Sequence, residues 1–529
     1  MYVFQHNGQL SIEEFYNPFG GKLDPNNRWV VMAGIIPWEP LECRYAPLFN
    51  ATTGAPAKPF RMAFGALYIQ QRLGLTDRET VELITESPYL QFFIGLSGYQ
   101  FTKAFDASMM VHFRKRIGPD LIKVCNDMTK ANGIAMVKQL LADCVGEGTE
   151  SEIEDLAVIE SELGEKPSSL DPDANWGTLI LDATCVPDDI PYPVDLRLLN
   201  EARETTEVVI DELFKQDLNW EGRKPRCNRD KARNLFLAFI KKKKPRKREL
   251  REAKRFQLNE ISRNLAAIDK LIHCSASLSA LSSHLYRKLL VTSEVYRQQQ
   301  EMYDADSNRV ADRIVNLPKP HVRPIVRGKA GKKTEFGAKI SISDDNGFVD
   351  LDRVSWDNYN ESADLIPRVE QYRAERGYYP ERVCADKLYI TVENKRYCEQ
   401  HGIRLSGRGR SSKTHTPVVT TEQKEIFKSD HKKRSVIEGR IGTSKRKYGL
   451  DLILTKLVET SKSVISMALF AMNAEKILRL IRLIFNIFLL LCQVLTSCLR
   501  LIASEMLLLG VDVTLSPFLP KLRLNEAVV

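Results

Sequence analysis

Three acids in this sequence stand where hard oxygen ligands for a divalent cation are wanted: Asp182, Asp386 and Glu438. The first two close short apolar runs, Gly177-Thr-Leu-Ile-Leu-Asp182 and Arg382-Val-Cys-Ala-Asp386. A buried strand that ends in an acid delivers a carboxylate to the edge of a sheet. Glu438 lies in Lys432 to Tyr448, whose pattern predicts a helix. At 100° per residue, His431, Arg434, Glu438 and Lys445 fall within an arc of about 60°. An apolar core stripe has a different composition; this one sets a single carboxylate among three potential cations. Carboxylates on rigid elements hold magnesium. Two such ions about 3.5–4 Å apart carry out phosphoryl transfer without a covalent enzyme intermediate. The same stripe also reads as an ordinary solvated helix face, and Gly439 and Gly442 each cost a regular helix about 1 kcal/mol. Asp188 and Asp189 are rivals to Asp182, ranked lower because they follow Pro187 and are predicted to lie in a loop.

The elements that position these acids follow a definite order. Residues 28–145 read as mostly helical. Arg61 to Leu73 carries helical apolar spacing, Thr76-Asp77-Arg78-Glu79 is a capping box, Pro88 opens a third segment, and Phe105 to Arg116 suggests a fourth. Successive short helices suit a helix-turn-helix-like DNA-binding unit or any small helical domain. Residues 146–173 hold ten acids and one lysine, the pattern of a solvated linker. Residues 195–316 read as long helices, and between Arg223 and Arg255 there are sixteen lysines and arginines, including the run Lys241 to Lys244. Such a run is a solvated helix face or, in a DNA enzyme, a surface for phosphates. After Pro320, Glu335 to Ser343 and Gly347 to Trp356 read as strands paired across Asp344-Asp345-Asn346-Gly347. A helix follows at Glu361 to Arg376, closed by Gly377; then the strand ending at Asp386; a helix at Val392 to Gln400, with Gly402 as its cap; and a strand at Ile403 to Leu405. With the helical block set aside the order is β-β-β-α-β-α-β-α. The expected fold is α/β: a ribonuclease-H-like mixed sheet with flanking helices, a helical insertion after the first strand, and an all-α N-terminal domain. The expected domains are 1–145, an acidic linker 146–175, a catalytic domain 176–470 with its insertion at about 195–316, and an apolar helical tail 471–529.

Length and composition agree with this plan. The chain of 529 residues is too long for one compact core, and 43% apolar residues supply ample interior. The net charge of +9 suggests a polyanionic partner or a modest solubilising excess. The ten cysteines form no CxxC pair and no zinc-spaced cluster, which fits reduced thiols in a cytoplasm. The N-terminus shows no secretion signal. Leu483 to Leu499 is uncharged between Arg482 and Arg500, at the short limit for a membrane span, and holds Asn486, Gln493, Thr496 and Ser497. A buried or partner-facing helix is the expected reading.

His431-x2-Arg434-x3-Glu438-x6-Lys445 resembles the YREK signature of DDE transposases of bacterial insertion sequences. His431 stands where that pattern has tyrosine. Leu179 to Pro193 resembles the first-aspartate strand, and VCADKLYITVENKRYCEQHGIRL the second-aspartate region, where glycine often replaces Leu388. His321 to Ser343 and the N-terminal FGALYIQQRLGLTDRETVELITESPYLQFFIGL are also similar to the family, so the resemblance spans roughly residues 30–470. It implies a metal-dependent enzyme that cuts and rejoins insertion-sequence ends. Asp182, Asp386 and Glu438 would bind two Mg2+ ions, with Mn2+ able to substitute. His431, Arg434, Lys445 and Arg446 would contact DNA phosphates. Double-stranded DNA, both transposon ends and target, would be the partner of a homodimer in the cytoplasm, on the nucleoid and not in a membrane. Two other functions remain open: a DNA-binding protein descended from a transposase without catalysis, and a metal-dependent nuclease that never joins strands.

Overall fold

The computed structural model describes residue 2 and residues 11–508, apart from 19, 51–53, 145–158, 160, 165, 168–170, 172, 217–218, 221–222, 327–333 and 407–420. Most of the acidic linker, the end of the apolar tail and part of His321 to Ser343 therefore lie outside the described residues. In chain order the N-terminal helices are α1 (Arg28–Ile35), α2 (Trp38–Tyr45), α3 (Phe60–Leu73), α4 (Asp77–Glu86), α5 (Pro88–Phe93), α6 (Met109–Arg116) and α7 (Pro119–Cys144). Local sequence sets their ends. Gly74 takes φ 67° to close α3, and Thr76 and Glu79 form a reciprocal capping box that opens α4.

Strand β1 (Thr178–Pro187) is followed by four helices, α8 (Asp195–Leu213), α9 (Arg229–Ile240), α10 (Lys247–His273) and α11 (Ser283–Asp304). Then come β2 (Arg323–Val326), β3 (Thr334–Asp345), β4 (Phe348–Ser355), α12 (Leu365–Arg376), β5 (Arg382–Cys384), α13 (Val392–Gln400), β6 (Arg404–Ser406), α14 (Thr421–Lys447) and α15 (Val458–Leu508). The architecture is mixed α/β, with the expected element order and one short extra strand, β2. The sheet runs β2-β3-β1-β5-β6. β3 is antiparallel to β1 on one edge, while β2 and β4 pair with successive stretches of its other edge. β5 is parallel to β1, and β6 to β5. Asn346 and Gly347, at φ 51° and 84°, make the two-residue turn between β3 and β4 that left-handed backbone permits.

The two sheet faces bury different cores. One face carries Leu179, Leu181, Val383 and Ala385 against α12 and the aromatic ring of Tyr389. The other carries Ile180, Ile340 and Ile342 into a core continuous with the N-terminal helices, α14 and α15. α15 is the spine of that second core: it packs on α7, α3, α1, α6 and β4. Its Asn473 side chain exchanges hydrogen bonds of 2.8 Å with both backbone groups of Val349 on β4 and donates at 2.8 Å to Asn126 on α7. The expected tail from residue 471 is thus, in its described part, the middle of one helix, with Ile477, Leu480, Ile481 and Ile484 buried. No helix among the described residues is long and apolar enough to cross a membrane.

α8 to α11 form a lobe with two small cores of its own, around Leu199 and Ile261 and around Ile210 and Leu271. These helices pack on one another and make no comparable contact with the sheet or the N-terminal helices among the described residues.

Candidate active site

β1 extends beyond its pairing with β5. The last parallel partners are Ile180 and Cys384, so Asp182 and Asp386 each lie two residues past that point, at the same level of the sheet. Sequence alone places Asp182 at a strand end. The structure corrects this: Asp182 sits mid-strand, opposite Ile342 of β3, because β1 continues along β3 after β5 has stopped. Asp386 leaves the sheet at that stop and caps a single turn, Lys387–Tyr389, by accepting from the Lys387 N–H at 2.7 Å. Asn394 holds the far end of the turn by donating to the Tyr389 carbonyl at 2.8 Å, and the buried Tyr389 hydroxyl lies 3.4 Å from Ser341 Oγ on β3.

α14 crosses this edge, packing on β1, β5 and β6. It is tied down at several points along its length. Asp430, buried, accepts from Arg404 of β6 at 3.1 Å and faces Arg382 of β5 at 3.7 Å. Ile437 is wholly buried. Arg440 faces Asp344 of β3 at 3.4 Å, and the Lys445 ammonium donates to Thr184 Oγ1 at 3.1 Å and to the Cys185 carbonyl at 2.7 Å on β1. Between these ties Glu438 stands exposed and ion-paired to Arg434 at 3.0 Å.

The electrostatics bind the group together. Burial, with a smaller contribution from the charges of Asp386 and Glu438, pushes the Asp182 carboxyl up to about 6. The Ala183 N–H, which Asp182 accepts at 2.8 Å, and the Arg434 guanidinium pull the other way. Asp386, Glu438 and Arg434 therefore all stand near enough to act on the charge of Asp182. No three His, Cys, Asp or Glu side chains among the described residues stand close enough together to hold a metal ion as they are placed. The donor set nevertheless fits a hard cation. It is all carboxylate, carried by neighbouring strands and a fixed helix, and its half-buried member, raised by desolvation, gains from a nearby positive charge.

The other expected residues are distributed differently. His431 and Arg446 are exposed toward the two ends of the α14 stripe. Lys445 donates to two oxygens of β1 and so fastens the helix to the strand of Asp182. Asp188, the rival acid, is fully buried and committed: it accepts from Lys319 Nζ and from the Trp356 indole N–H, each at 2.9 Å. Asp189 is exposed and bonds through its backbone to Ile453. Asp430 escaped the sequence reading, although an acid beside His431 at the start of so basic a helix is a visible signal. In the insertion, several of the sixteen cations are neutralised locally, such as Lys224 and Arg229 on Asp211 and Lys247 and Arg251 on Asp306. Arg226, Arg233, Lys241, Lys243, Lys244 and Arg255 are exposed with no acidic partner among the described residues.

Comparison with known proteins locates the resemblance. Residues 383–475 match the family described as transposase DDE domain, a stretch that contains Asp386, Arg434, Glu438 and Lys445. Residues 18–116 match a second family, transposase domain (DUF772). An uncharacterized protein, ORF8 of the nfe locus of Rhizobium meliloti, is 34% identical over 122 residues, which are 22% of this chain and 58% of that protein. No solved structure matches. The chain is thus similar to transposases in two separate segments, one among the N-terminal helices and one across the acidic edge.

Proposed function

We propose that this chain is a DDE transposase that binds the ends of an insertion sequence, cuts them and joins them to target DNA. The observation that carries the reading is the level placement of Asp182 and Asp386 beneath the helix bearing Glu438; Asp386 and Glu438 lie in the segment that matches the transposase DDE domain. The strand order and directions support a ribonuclease-H-like core: an antiparallel β4-β3-β1 ladder continued by parallel β5 and β6.

Asp182, Asp386 and Glu438 are the residues that would hold Mg2+ or Mn2+. Such ions, when bound, activate the attacking oxygen and stabilise the leaving one. The chain's own residues do the rest. Desolvation raises Asp182, so a cation placed beside it favours its charged form. Arg434 offers a planar guanidinium to Glu438 and to an incoming phosphate. His431 and Arg446 extend the cationic stripe. Lys445, hydrogen-bonded to β1, keeps that stripe over Asp182 and serves the phosphates from there. The unpaired cations of the insertion contact DNA through phosphates, which adds affinity and register but not sequence. Two ends must be joined, so a homodimer on DNA is the working assembly, on the nucleoid in the cytoplasm.

The test is cleavage of a supercoiled donor plasmid carrying the element's ends, with Mg2+ or Mn2+. The wild type should nick at the ends and transfer them. Glu438→Gln, Asp182→Asn and Asp386→Asn should bind the ends and cut nothing. A wild type that binds but never cuts would favour a transposase-derived DNA-binding protein. Cutting without joining would favour a simple nuclease.

A further inference from the structure

The helical insertion leaves the core just after Asp189 and returns at Lys319, and these two roots meet in one buried ion pair. Lys319 Nζ lies 2.9 Å from Asp188 Oδ1, and neither side chain reaches solvent appreciably: 4% of Lys319 and none of Asp188 is exposed. The same ammonium donates at 2.7 Å to the Ile453 carbonyl, in the segment that follows α14. Ile453 is laced to β1 as well, donating its N–H to the Pro187 carbonyl at 2.8 Å and accepting from the Asp189 N–H at 3.0 Å. One charge pair therefore touches both roots of the insertion, the outgoing end of the strand that carries Asp182, and the chain behind the helix that carries Glu438.

A second layer stands immediately outside it. Asp195, the first residue of α8, binds Lys254 of α10 at 2.6 Å and also pairs with Arg313 on the returning chain. Burial alone would push this carboxyl up, but the hydrogen bonds and charges of Lys254 and Arg313 outweigh it and hold it low. The lobe is thus internally fastened at its base. Because its helices have cores of their own and little contact with the rest of the chain, its position relative to the core is fixed at the base. A lobe held at one point transmits its orientation through that point.

We propose that the Asp188–Lys319 pair is a positioning clamp, through which the placement of the DNA-gripping insertion sets the spacing of Asp182 against the helix of Glu438. It rests on the transposase reading only in assigning DNA to the insertion and metal to the acids. Burial makes the clamp specific, since an exposed pair would be weak and easily exchanged. The adjacent strand end makes it effective: Gly337 on β3 lies against Pro187 and Asp188 so closely that an added Cβ would come within 2.8 Å of Pro187 Cα and 2.9 Å of the Asp188 nitrogen. Movement at Asp188 is therefore felt where β1 and β3 meet.

The experiment compares the full-length wild type with Asp188→Asn/Lys319→Met, which removes both charges, and with Lys319→Arg, which keeps the pair. Lys319→Met alone strands a buried carboxylate and serves only as a control for misfolding. Hydrogen exchange should rise about tenfold in residues 178–187 and 448–455 of the double variant, with the α8–α11 peptides as protected as before. Mn2+ affinity, read from the paramagnetic resonance of free Mn2+, should weaken about tenfold while affinity for end DNA holds. Lys319→Arg should restore both. Exchange that rises only in residues 316–322, exchange that rises everywhere alike, or unchanged Mn2+ affinity would each overturn the clamp. A wild type that never cuts would instead overturn the transposase reading, and the exchange map would still decide the clamp.

Discussion

Asp182 and Asp188 belong to the same stretch of chain and differ in what surrounds them. Asp188 has two donors, one of them the buried counter-charge Lys319, so removing it leaves that ammonium without an anion in the interior. Asp188→Ala should lower stability by about 3–5 kcal/mol, measured by urea unfolding at neutral pH. Asp182→Asn, in the absence of metal, should cost far less, because burial already disfavours its charge. A third acid gives a prediction in pH. Asp352 is buried, and desolvation pushes its carboxyl up to about 7 although Arg368 stands 3.3 Å away. That guanidinium is shared with Asp350 and Glu375 and does not offset the burial. Since the folded value lies above the unfolded one, the fold binds the proton more tightly. Stability from this group is present at low pH and is lost as pH rises from about 4 to about 7. Asp352→Asn should therefore match the wild type near pH 4 and exceed it at pH 8, by roughly 1–3 kcal/mol; equal stability at both pH values would refute the assignment. At this scale the acids of the edge were legible because each announces itself locally, two by closing apolar runs and one by helical spacing. The fate of Asp188 was not, because its partner lies 131 residues away and only the folded chain joins them.

α14 works as a beam rather than as a surface helix, fastened to β6, β1 and β3 by Asp430, Lys445 and Arg440. Its spacing was readable from the sequence, but its ties were not, since each reaches a strand remote in the chain. Conversely the β3–β4 turn was legible from Asn346-Gly347 alone, as its geometry depends on those two residues. β2 escaped notice because four residues hydrogen-bonded to one edge leave no alternating pattern. Two glycines test the packing of elements. Gly337→Ala drives a Cβ into the backbone of Val186, Pro187 and Asp188, a contact that side-chain rotation cannot relieve. It should destabilise by more than about 3 kcal/mol and abolish cleavage, seen as a fall in thermal midpoint. Gly133 lets α7 lie close to α15: an added Cβ would meet Ile477 Cδ1 at 2.7 Å. Gly133→Ala should destabilise by about 1–3 kcal/mol, and a second change, Ile477→Ala, should recover part of the loss. Simple additivity of the two effects would argue against that close approach.

At the scale of the whole molecule, exposed cations and the candidate acids occupy different parts of the chain. A group of exposed cations without an acidic partner among the described residues lies on the lobe, and the acids lie where β1 and β5 part and on α14. Lys243→Gln and Lys244→Gln should weaken binding to specific and random DNA alike, and each should lower the slope of log affinity against log salt by about 1. Loss of end preference with an unchanged slope would mean that these residues read bases. The broad plan was legible here because the change from strand patterns to helices and back marks the insertion. The continuity of α15 with the N-terminal helices was not, because the chain meets itself there only after the sheet is complete. The insertion's adjoining roots also bear on how the protein comes into being. β1 is made before the lobe, yet its antiparallel partner β3 comes after it, so the strand bearing Asp182 waits unpaired through the synthesis of four helices. Closing so long a loop is entropically slow. A lobe that folds on its own cores first brings residues 188 and 319 together, and replaces that long loop with a short one. Refolding should then proceed in two steps, lobe before sheet, and nascent chains halted after residue 320 should already resist protease across residues 195–316.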